Sequence, residues 1–445
     1  MTNRRLFLFV IALIILVGGS YLIGNRVSAE PNPASVSIGL EDSSPASQIK
    51  TTQELIEFWR SRFERDPKDF ISLTYLAQTF IRQGRETGDV SAYQRAETAL
   101  TTALTLDPHY ESALAYLSAV HFVKHEFREA LDLANQVYST DPRALQALAT
   151  IGDAQLELGH YTEAGIAYRQ LLERNASPAV YSRLARLAWL QGRPADAITQ
   201  MKQAVAGAAA MGLSGESAAW YQYQLGELYF NTGQIEEADN SYTAALASFD
   251  NYYLALSGLG KVYAAQGRYD RAIEYYQRAI AIIPQPIFLA ALGDLYRLTG
   301  RPDEAKRQYD TVEYIGQLAQ INRQIYNRQL ADFYLDHDIH LAEALTLAQT
   351  ELEARTDIYG YDTAAWAYYK NGRLDQARVM IDQAMKRGTR DARLYYHAGL
   401  IASAQGHAAD AQHFLSQALT INPYFDLLQA RVARAALDQL VASSR

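Results

Sequence analysis

A pattern of small and aromatic residues recurs ten times along most of this 445-residue chain. In its clearest copy, Leu256, Leu259, Gly260 and Tyr263 are followed by a Gly-Arg turn and a second segment that ends at Pro284. The residues equivalent to Gly260 are Ala77, Ser118, Gly152, Ala185, Gly226, Gly293, Ala331, Ala365 and Gly399. With Gly260 included, the successive separations are 41, 34, 33, 41, 34, 33, 38, 34 and 34 residues. A unit this short cannot bury its apolar face alone, so the copies must stack on one another.

Each copy is predicted to be a pair of helices joined by a tight turn. The small residue of the first helix faces a recurrent alanine of the second, such as Ala272, which lets the two helices approach closely. Glycine recurs where the first helix ends, as at Gly267, and supplies the left-handed conformation that the turn needs. Proline, as at Pro108 and Pro284, ends the second helix. The sequence therefore predicts an all-α fold.

These residues resemble the tetratricopeptide-repeat family, whose pattern runs W-x2-L-G-x2-Y, then A-x3-F, then P. The resemblance covers residues 70–424, about 80% of the chain. It implies a right-handed α-solenoid of about ten helix-turn-helix repeats. The tryptophan position holds other residues here, and the eighth repeat, with Asp336 to His340 in its turn, is the weakest match. Residues 51–69 are predicted to supply a lead-in helix, and residues 425–445 a helix that caps the exposed end of the stack.

The amino-terminal segment is predicted to cross a membrane. Residues 6–23 begin with twelve residues that lack a polar group, and as a helix they would span about 27 Å, close to the roughly 30 Å of a bilayer core. Arg4 and Arg5 predict that residues 1–5 stay in the cytoplasm, which leaves the repeats outside it. The alternative is a signal peptide cleaved after Ala29, which would release a secreted protein. Both interpretations place residues 28–445 outside the cytoplasm.

Residues 24–50 are predicted to be a disordered linker between this segment and the repeats. The stretch from Ser28 to Lys50 contains six serines and three prolines with almost no apolar periodicity. Such a composition cannot offset the entropy of ordering by burial. A flexible coil of this length reaches on the order of 25–30 Å, enough to hold the repeats just off a membrane surface.

Composition and motifs argue against catalysis and against metal or cofactor binding. The absence of cysteine excludes thiolate metal sites, iron–sulfur clusters and thiol nucleophiles. A net charge of −8 disfavours nucleic acid as a partner. His121 and His125, and likewise His337 and His340, are spaced closely enough to be considered as metal ligands. We assign the first two to packing and a turn, and the second two to a solvated turn, so that no catalytic, metal or cofactor residue is predicted.

A separate stripe on the first helices is the predicted binding site. Its residues lie six and three positions before the small residue and one, four and five positions after it, and the family resemblance implies that they line a concave groove. Exposed aromatic side chains beside mixed charges suit a protein or peptide ligand. The alternative is that the tryptophans of the stripe pack against the next repeat. The predicted partner-binding residues are Arg186, Trp189, Trp220, Tyr223, Glu227, Phe230, Lys261, Asp294, Arg297, Arg328, Asp332, Trp366, Tyr369 and Lys370.

The sequence thus predicts a non-catalytic, membrane-tethered scaffold that binds a protein partner in cell-envelope assembly or maintenance. The alternative is an envelope polysaccharide-binding or glycan-processing repeat protein, with Trp220, Tyr223, Glu227 and Trp366 as its contacts. A third hypothesis is self-assembly through the ends of the superhelix, although nothing in the sequence specifically indicates a homo-oligomer. The residues that follow the small positions include no asparagine from the second repeat onward, which argues against a clamp for terminal carboxylates.

Overall fold

The computed structural model describes residues 51–87, 90–321 and 327–443. The predicted membrane segment at 6–23 and the linker at 24–50 lie outside these residues. Among the residues that are described, no helix combines the length and the apolar character needed to cross a membrane.

The described residues form helices and no strands, as the sequence predicts. The ten repeats are ten successive pairs of helices, and the first and the last of the described helices flank them. The helices are α1 Thr52–Arg65, α2 Phe70–Thr87, α3 Val90–Leu106, α4 Glu111–Val123, α5 Phe127–Thr140, α6 Leu145–Glu157, α7 Tyr161–Arg174, α8 Pro178–Leu190, α9 Pro194–Ala210, α10 Glu216–Asn231, α11 Ile235–Ser248, α12 Tyr253–Ala265, α13 Tyr269–Ile282, α14 Pro286–Leu298, α15 Pro302–Ile321, α16 Asn327–Asp336, α17 Leu341–Ala354, α18 Ile358–Lys370, α19 Leu374–Met385, α20 Ala392–Ala404, α21 Ala408–Ile421 and α22 Gln429–Ser443.

The two flanking helices begin at side-chain caps. Thr51 caps α1 by accepting a hydrogen bond from the Glu54 amide at 3.2 Å, and Glu54 in turn accepts one from the Thr51 amide at 3.0 Å. The carboxylate of Asp426 accepts hydrogen bonds from the amides of Leu428 and Gln429 at 2.8 and 2.7 Å. These bonds satisfy amides at the start of α22, which begins at Gln429, and the residues before it form a loop.

The chain divides into two compact units. The first consists of residues up to Gln155 together with Thr162–Arg174, and it contains α1 to α5, most of α6 and nearly all of α7. The second consists of Leu156–Tyr161 and the residues from Asn175 onward, and it contains α8 to α22. The end of α6 and the turn that follows it therefore belong to the second unit.

In four repeats, the small residue of the first helix is a glycine that lies against a tyrosine ring sixteen positions later. These pairs are Gly152 with Tyr168, Gly226 with Tyr242, Gly260 with Tyr276, and Gly293 with Tyr309. In repeats four and nine the later residue is Met201 or Ile381, and the small residue is Ala185 or Ala365. Glycine in these four repeats makes room for a flat ring. The pairing is not universal, since Gly399 lies against Leu415 and Ala77 stands sixteen positions before Tyr93.

Replacing Gly226 by Ala is expected to destabilise the second unit by roughly 1–3 kcal/mol. An added Cβ would lie 2.5 Å from the Tyr242 ring, and that ring has little room to move because it also packs closely against Gly258. The change should lower the urea midpoint of unfolding followed by circular dichroism, although alanine ordinarily favours a helix over glycine. A second change, Tyr242→Leu, should restore part of the loss. An unchanged midpoint in the single variant would show that the ring is not confined.

Candidate functional site

The aromatic side chains of the predicted stripe are buried. Trp220 and Trp366 are 2% and 0% exposed, and Trp189, Tyr223 and Phe230 are buried as well. The expectation of exposed aromatic residues is therefore wrong for these five, and the packing alternative holds for the tryptophans. The carbohydrate hypothesis consequently loses the aromatic surface on which it depended.

Trp366 shows how the next repeat covers such a residue. Its ring stacks on Tyr369 of the same helix at 4.9 Å and on His397 of repeat ten at 4.2 Å, measured between ring centroids. Its Nε1 donates a hydrogen bond to Asp336 at 3.0 Å. Lys370, whose Nζ lies 4.7 Å from the Trp366 ring, pairs with Asp338 at 2.5 Å. Tyr369 remains partly exposed at the edge of this cluster.

Acidic residues directly after the small position pair with the tyrosine of the second helix in three repeats. The hydroxyls of Tyr168, Tyr242 and Tyr309 donate to Asp153, Glu227 and Asp294 at 2.9, 2.6 and 2.7 Å. Burial, and then the adjacent Glu227 carboxylate, raise the pKa of Tyr242, so its hydroxyl stays protonated. Glu227 also pairs with Lys261 at 2.5 Å. The predicted site residues Glu227 and Asp294 thus make internal contacts.

The histidines also differ in part from the prediction. His337 is largely buried, and it contacts Asp294 through Nε2 at 2.8 Å and the Phe333 carbonyl through Nδ1 at 2.7 Å. Burial opposes protonation, but the hydrogen bond and charge of Asp294, the Phe333 carbonyl and the charge of Asp336 together outweigh it and raise the pKa of His337. A solvated turn is therefore wrong for His337, although the His340 side chain is half exposed.

His121 belongs to a group of side chains that could hold a cation. Its ring nitrogen and the carboxylates of Glu97 and Glu126 lie within 4.8 Å of one another. The ammonium of Lys124 is 3.0 Å from Glu97 and 2.9 Å from Glu126. Because this ammonium already pairs with both carboxylates, the arrangement is that of an ion-paired network.

Arg328 and four other charged residues form a buried ion cluster in the second unit. The guanidinium of Arg328 lies 2.6 Å from Asp357 and 3.2 Å from Glu351, and that of Arg355 lies 2.5 Å from Glu157. Burial disfavours the Asp357 anion, yet Arg328 and Arg355 outweigh that effect and hold the pKa of this carboxyl below its ordinary value. We call Glu157, Arg328, Glu351, Arg355 and Asp357 the ion cluster.

Two other predicted residues also have internal partners. The Arg186 guanidinium lies 3.9 Å from Glu157 and 5.8 Å from the ring centroid of Tyr359. Asp332 pairs with Arg393 at 2.9 Å and accepts a hydrogen bond from Thr363 at 2.8 Å. Burial raises the pKa of Asp332, and Arg393 opposes that rise.

Repeats that are five apart touch along a seam in the second unit, which sequence reasoning missed. The loop before α18 meets the turn after α6 where Thr356 donates to the Leu158 carbonyl at 2.8 Å. The same contact recurs from Thr389 to the Leu190 carbonyl at 2.5 Å. It recurs again from Asn422 to the Phe230 carbonyl at 2.8 Å, and we call these three turn-and-loop contacts the seam.

The seam explains why Trp189 and Arg186 are covered. Tyr359, at the start of α18, accepts a hydrogen bond from Trp189 Nε1 at 2.9 Å and donates one to Asp391 at 3.1 Å. A side chain of repeat nine therefore covers the stripe of repeat four. The only sign of the seam in the sequence is that Thr356, Thr389 and Asn422 follow one another at intervals of 33 residues.

Several residues of the stripe remain accessible, in repeats six and seven and, for Tyr369 and Lys370, in repeat nine. Arg297 is exposed and Lys261 is partly exposed. Ile287, six positions before Gly293, is an apolar side chain with 51% exposure. We call Lys261, Ile287 and Arg297 the inner patch. The partner-binding role of the stripe stays a prediction, and we restrict it to the inner patch.

Paired helices repeated in tandem place the chain in the class of α-helical repeat proteins. Tetratricopeptide-repeat models match residues 120–180, 149–213, 223–287 and 363–424, and a further model of the same repeat matches 286–311. Because these matches together cover more than half of the chain, it belongs to the tetratricopeptide-repeat family. Repeats of this kind are typical of protein-interaction scaffolds.

Two relatives and one solved structure are similar to parts of the chain. BBSome complex member BBS4 of Bos taurus is 24% identical over 207 residues, which are 45% of this chain and 38% of that protein. Photosystem I assembly protein Ycf3 of Rippkaea orientalis is 30% identical over 104 residues, 19% of this chain and 58% of that protein. The chain therefore spans less than two thirds of either relative. The crystal structure of yeast Tom70 aligns with 87% of this chain and 92% of its own at 13% identity, with a TM-score of 0.38.

Proposed function

We propose that the chain is a non-catalytic scaffold, tethered to a membrane by residues 6–23, that binds a protein or peptide partner outside the cytoplasm. The repeat array carries this proposal, since its family is generally non-catalytic and binds proteins. Envelope assembly or maintenance is the process that we propose. The words "assembly protein" and "complex member" in the names of the two relatives are consistent with such a role.

The inner patch is the proposed contact surface. Ile287 offers an apolar side chain on α14, and Lys261 and Arg297 add positive charge on α12 and α14. Glu227 partly offsets that charge, because its carboxylate lies 2.5 Å from Lys261. Ile287 and Arg297 stand ten residues apart on α14, about 15 Å along its axis. A partner segment with an apolar side chain and an acidic one separated by about that distance fits this combination, since arginine and apolar anchors contribute strongly to binding.

Charge and polarity reversals at the inner patch should weaken binding. The double change Ile287→Asp and Arg297→Glu is expected to reduce partner recovery at least about tenfold, because each anchor contributes more than about 1 kcal/mol in a typical hot spot. Recovery is measured by affinity capture from detergent-solubilised native membranes with quantitative mass spectrometry. The matched control is Val379→Asp with Lys306→Glu, which alters an exposed apolar and an exposed cationic residue on second helices. Equal recovery by both variants would refute the inner patch.

The tether is tested separately from the binding surface. We expect the chain to remain in the membrane fraction after alkaline extraction, and a reporter fused after Lys50 to be active only outside the cytoplasm. Release of the chain by alkali would favour the cleaved signal peptide. A reporter that is active inside the cytoplasm would refute export, and neither result depends on partner binding.

A further inference from the structure

Five residues form a row along one face of α13, the second helix of repeat six. They are Arg268, which directly precedes the helix, and Arg271, Tyr275, Arg278 and Ile282, and we call them the arginine row. Their spacings of three and four residues place them on the same side of the helix. The three arginines are exposed, and the apolar Ile282 keeps 37% of its surface exposed. The row is therefore a surface feature of the second unit, about 21 Å long at 1.5 Å per residue.

Two tyrosine rings hold these arginines in place. The guanidinium of Arg268 lies 4.7 Å from the ring centroid of Tyr263, and that of Arg271 lies 5.9 Å from the same centroid. Arg278 lies 5.1 Å from the centroid of Tyr275, and the two tyrosine rings are 5.1 Å apart. A guanidinium that lies over a ring face keeps the N–H groups at its edge available for hydrogen bonds. The tyrosines thus orient the arginines without using up their donors.

The arginines of the row have no acidic partner within the described part of the chain. No carboxylate there lies within 4.0 Å of Arg268, Arg271 or Arg278, although Glu274 stands within one turn of the last two. The one hydrogen bond from their guanidiniums to a described acceptor is a long one, from Arg268 to Gln266 at 3.4 Å. By contrast, exposed cations on other second helices pair with an aspartate one turn later, as Lys306 does with Asp310 and Arg378 with Asp382. A carboxylate from another molecule would therefore meet donors that no acid occupies.

Acidic residues border the row, and they restrict the kind of partner that it fits. Asp270 and Glu274 are exposed on the adjoining side of α13. Asp239 of α11 lies near Tyr263, where burial first, and then the charges of Tyr275 and Asp239, raise the pKa of the Tyr263 hydroxyl. A broad anionic surface such as a bilayer would meet these acids together with the arginines, and they would repel it. A single acidic chain can lie along the row and avoid them.

We propose that the arginine row binds an acidic segment of a partner protein, with carboxylates on Arg271 and Arg278 and an apolar side chain on Ile282. Arg271 and Arg278 stand seven residues apart, about 10.5 Å along the helix, and Ile282 lies about 6 Å further on. A helical segment that lies alongside α13 and carries two acids seven residues apart, with an apolar residue four positions beyond one of them, has the same spacing. This contact is additional to the inner patch and does not depend on it.

A synthetic peptide tests the row directly. The probe is a dye-labelled helical peptide of fifteen residues with leucine at position 1, glutamate at positions 5, 12 and 15, and alanine and glutamine elsewhere. Its binding to the full chain in uncharged detergent micelles is followed by fluorescence anisotropy. The double variant Arg271→Glu with Arg278→Glu should weaken binding at least about tenfold, because each arginine anchor contributes strongly to such a contact. The matched control, Lys306→Glu with Arg378→Glu, reverses the same number of exposed charges on second helices and should bind within about twofold of the unaltered chain.

Three results would overturn the proposal. The first is that the unaltered chain does not bind the peptide, and the second is that the control variant weakens binding as much as the row variant. The third is that the row variant loses binding to phosphatidylglycerol vesicles but not to the peptide, which would identify a membrane as the ligand. The inner-patch variant Ile287→Asp with Arg297→Glu should bind the peptide normally, so a failure of the row is separate from a failure of the proposed scaffold function.

Discussion

Replacing Arg355 by Met is expected to destabilise the second unit by about 3–5 kcal/mol, the usual effect of removing one partner from a buried ion pair. Arg355 lies 2.5 Å from Glu157, and both side chains are less than a tenth exposed. Without Arg355, the nearest cation to Glu157 is Arg186 at 3.9 Å, which leaves a buried carboxylate poorly compensated. The loss is measured as a lower urea midpoint and as faster proteolysis of the residues from Asn175 onward.

Two control variants distinguish this effect from a general loss of charge. Arg143→Met removes an exposed partner of Asp141 and should leave the urea midpoint nearly unchanged. The double variant Glu157→Met with Arg355→Met should be more stable than Arg355→Met alone, because no unpaired carboxylate then stays buried. If the exposed and buried arginine variants lost equal stability, the ion cluster would have no special role.

Replacing Gly192 by Ala is expected to open the seam. A Cβ at this position would collide with the Gly388 carbonyl. Because that carbonyl is a backbone group, it cannot rotate out of the way as a side chain could. We expect a loss of roughly 1–3 kcal/mol from this overlap, added to the roughly 1–2 kcal/mol that a non-glycine residue loses in the left-handed conformation. Hydrogen exchange at residues 388–391 should accelerate with the unfolding of the contact from Thr389 to Leu190.

Gly300→Ala is a closely matched comparison. Its φ of 74° is close to the 71° of Gly192, but no neighbouring described atom lies within 4 Å of its Cβ position. This variant should show only the loss that comes from the left-handed conformation. Equal losses in the two variants would mean that the loop does not press on the turn at Gly192.

The repeat architecture could be predicted because its signals are local. Gly260 and Ala272 lie within one pair of helices, so their spacing reports directly on the approach of those helices. The pairing of Glu227 with Tyr242 could also have been predicted. Equivalent acid and tyrosine residues stand fifteen positions apart at Asp153 and at Asp294, which is a regular spacing in the sequence.

The covering of the stripe could not be predicted in the same way. Helical periodicity identifies the face on which Trp366 lies, but it does not say what covers that face. For Trp189 and Arg186, the covering residue is Tyr359, about 170 positions away in the chain. Whether Tyr359 reaches these residues depends on the angle of rotation between successive repeats. That angle is set by small packing differences in many repeats together.

The seam has a consequence for how the second unit is made. Solenoids usually fold through contacts between adjacent repeats, and they have low contact order. Here the hydrogen bond to the Leu158 carbonyl cannot form until Thr356 has been synthesised, 198 residues later. At 5–20 residues per second, that interval is roughly 10–40 s on the ribosome, during which the turn after α6 is available to other backbones and to chaperones.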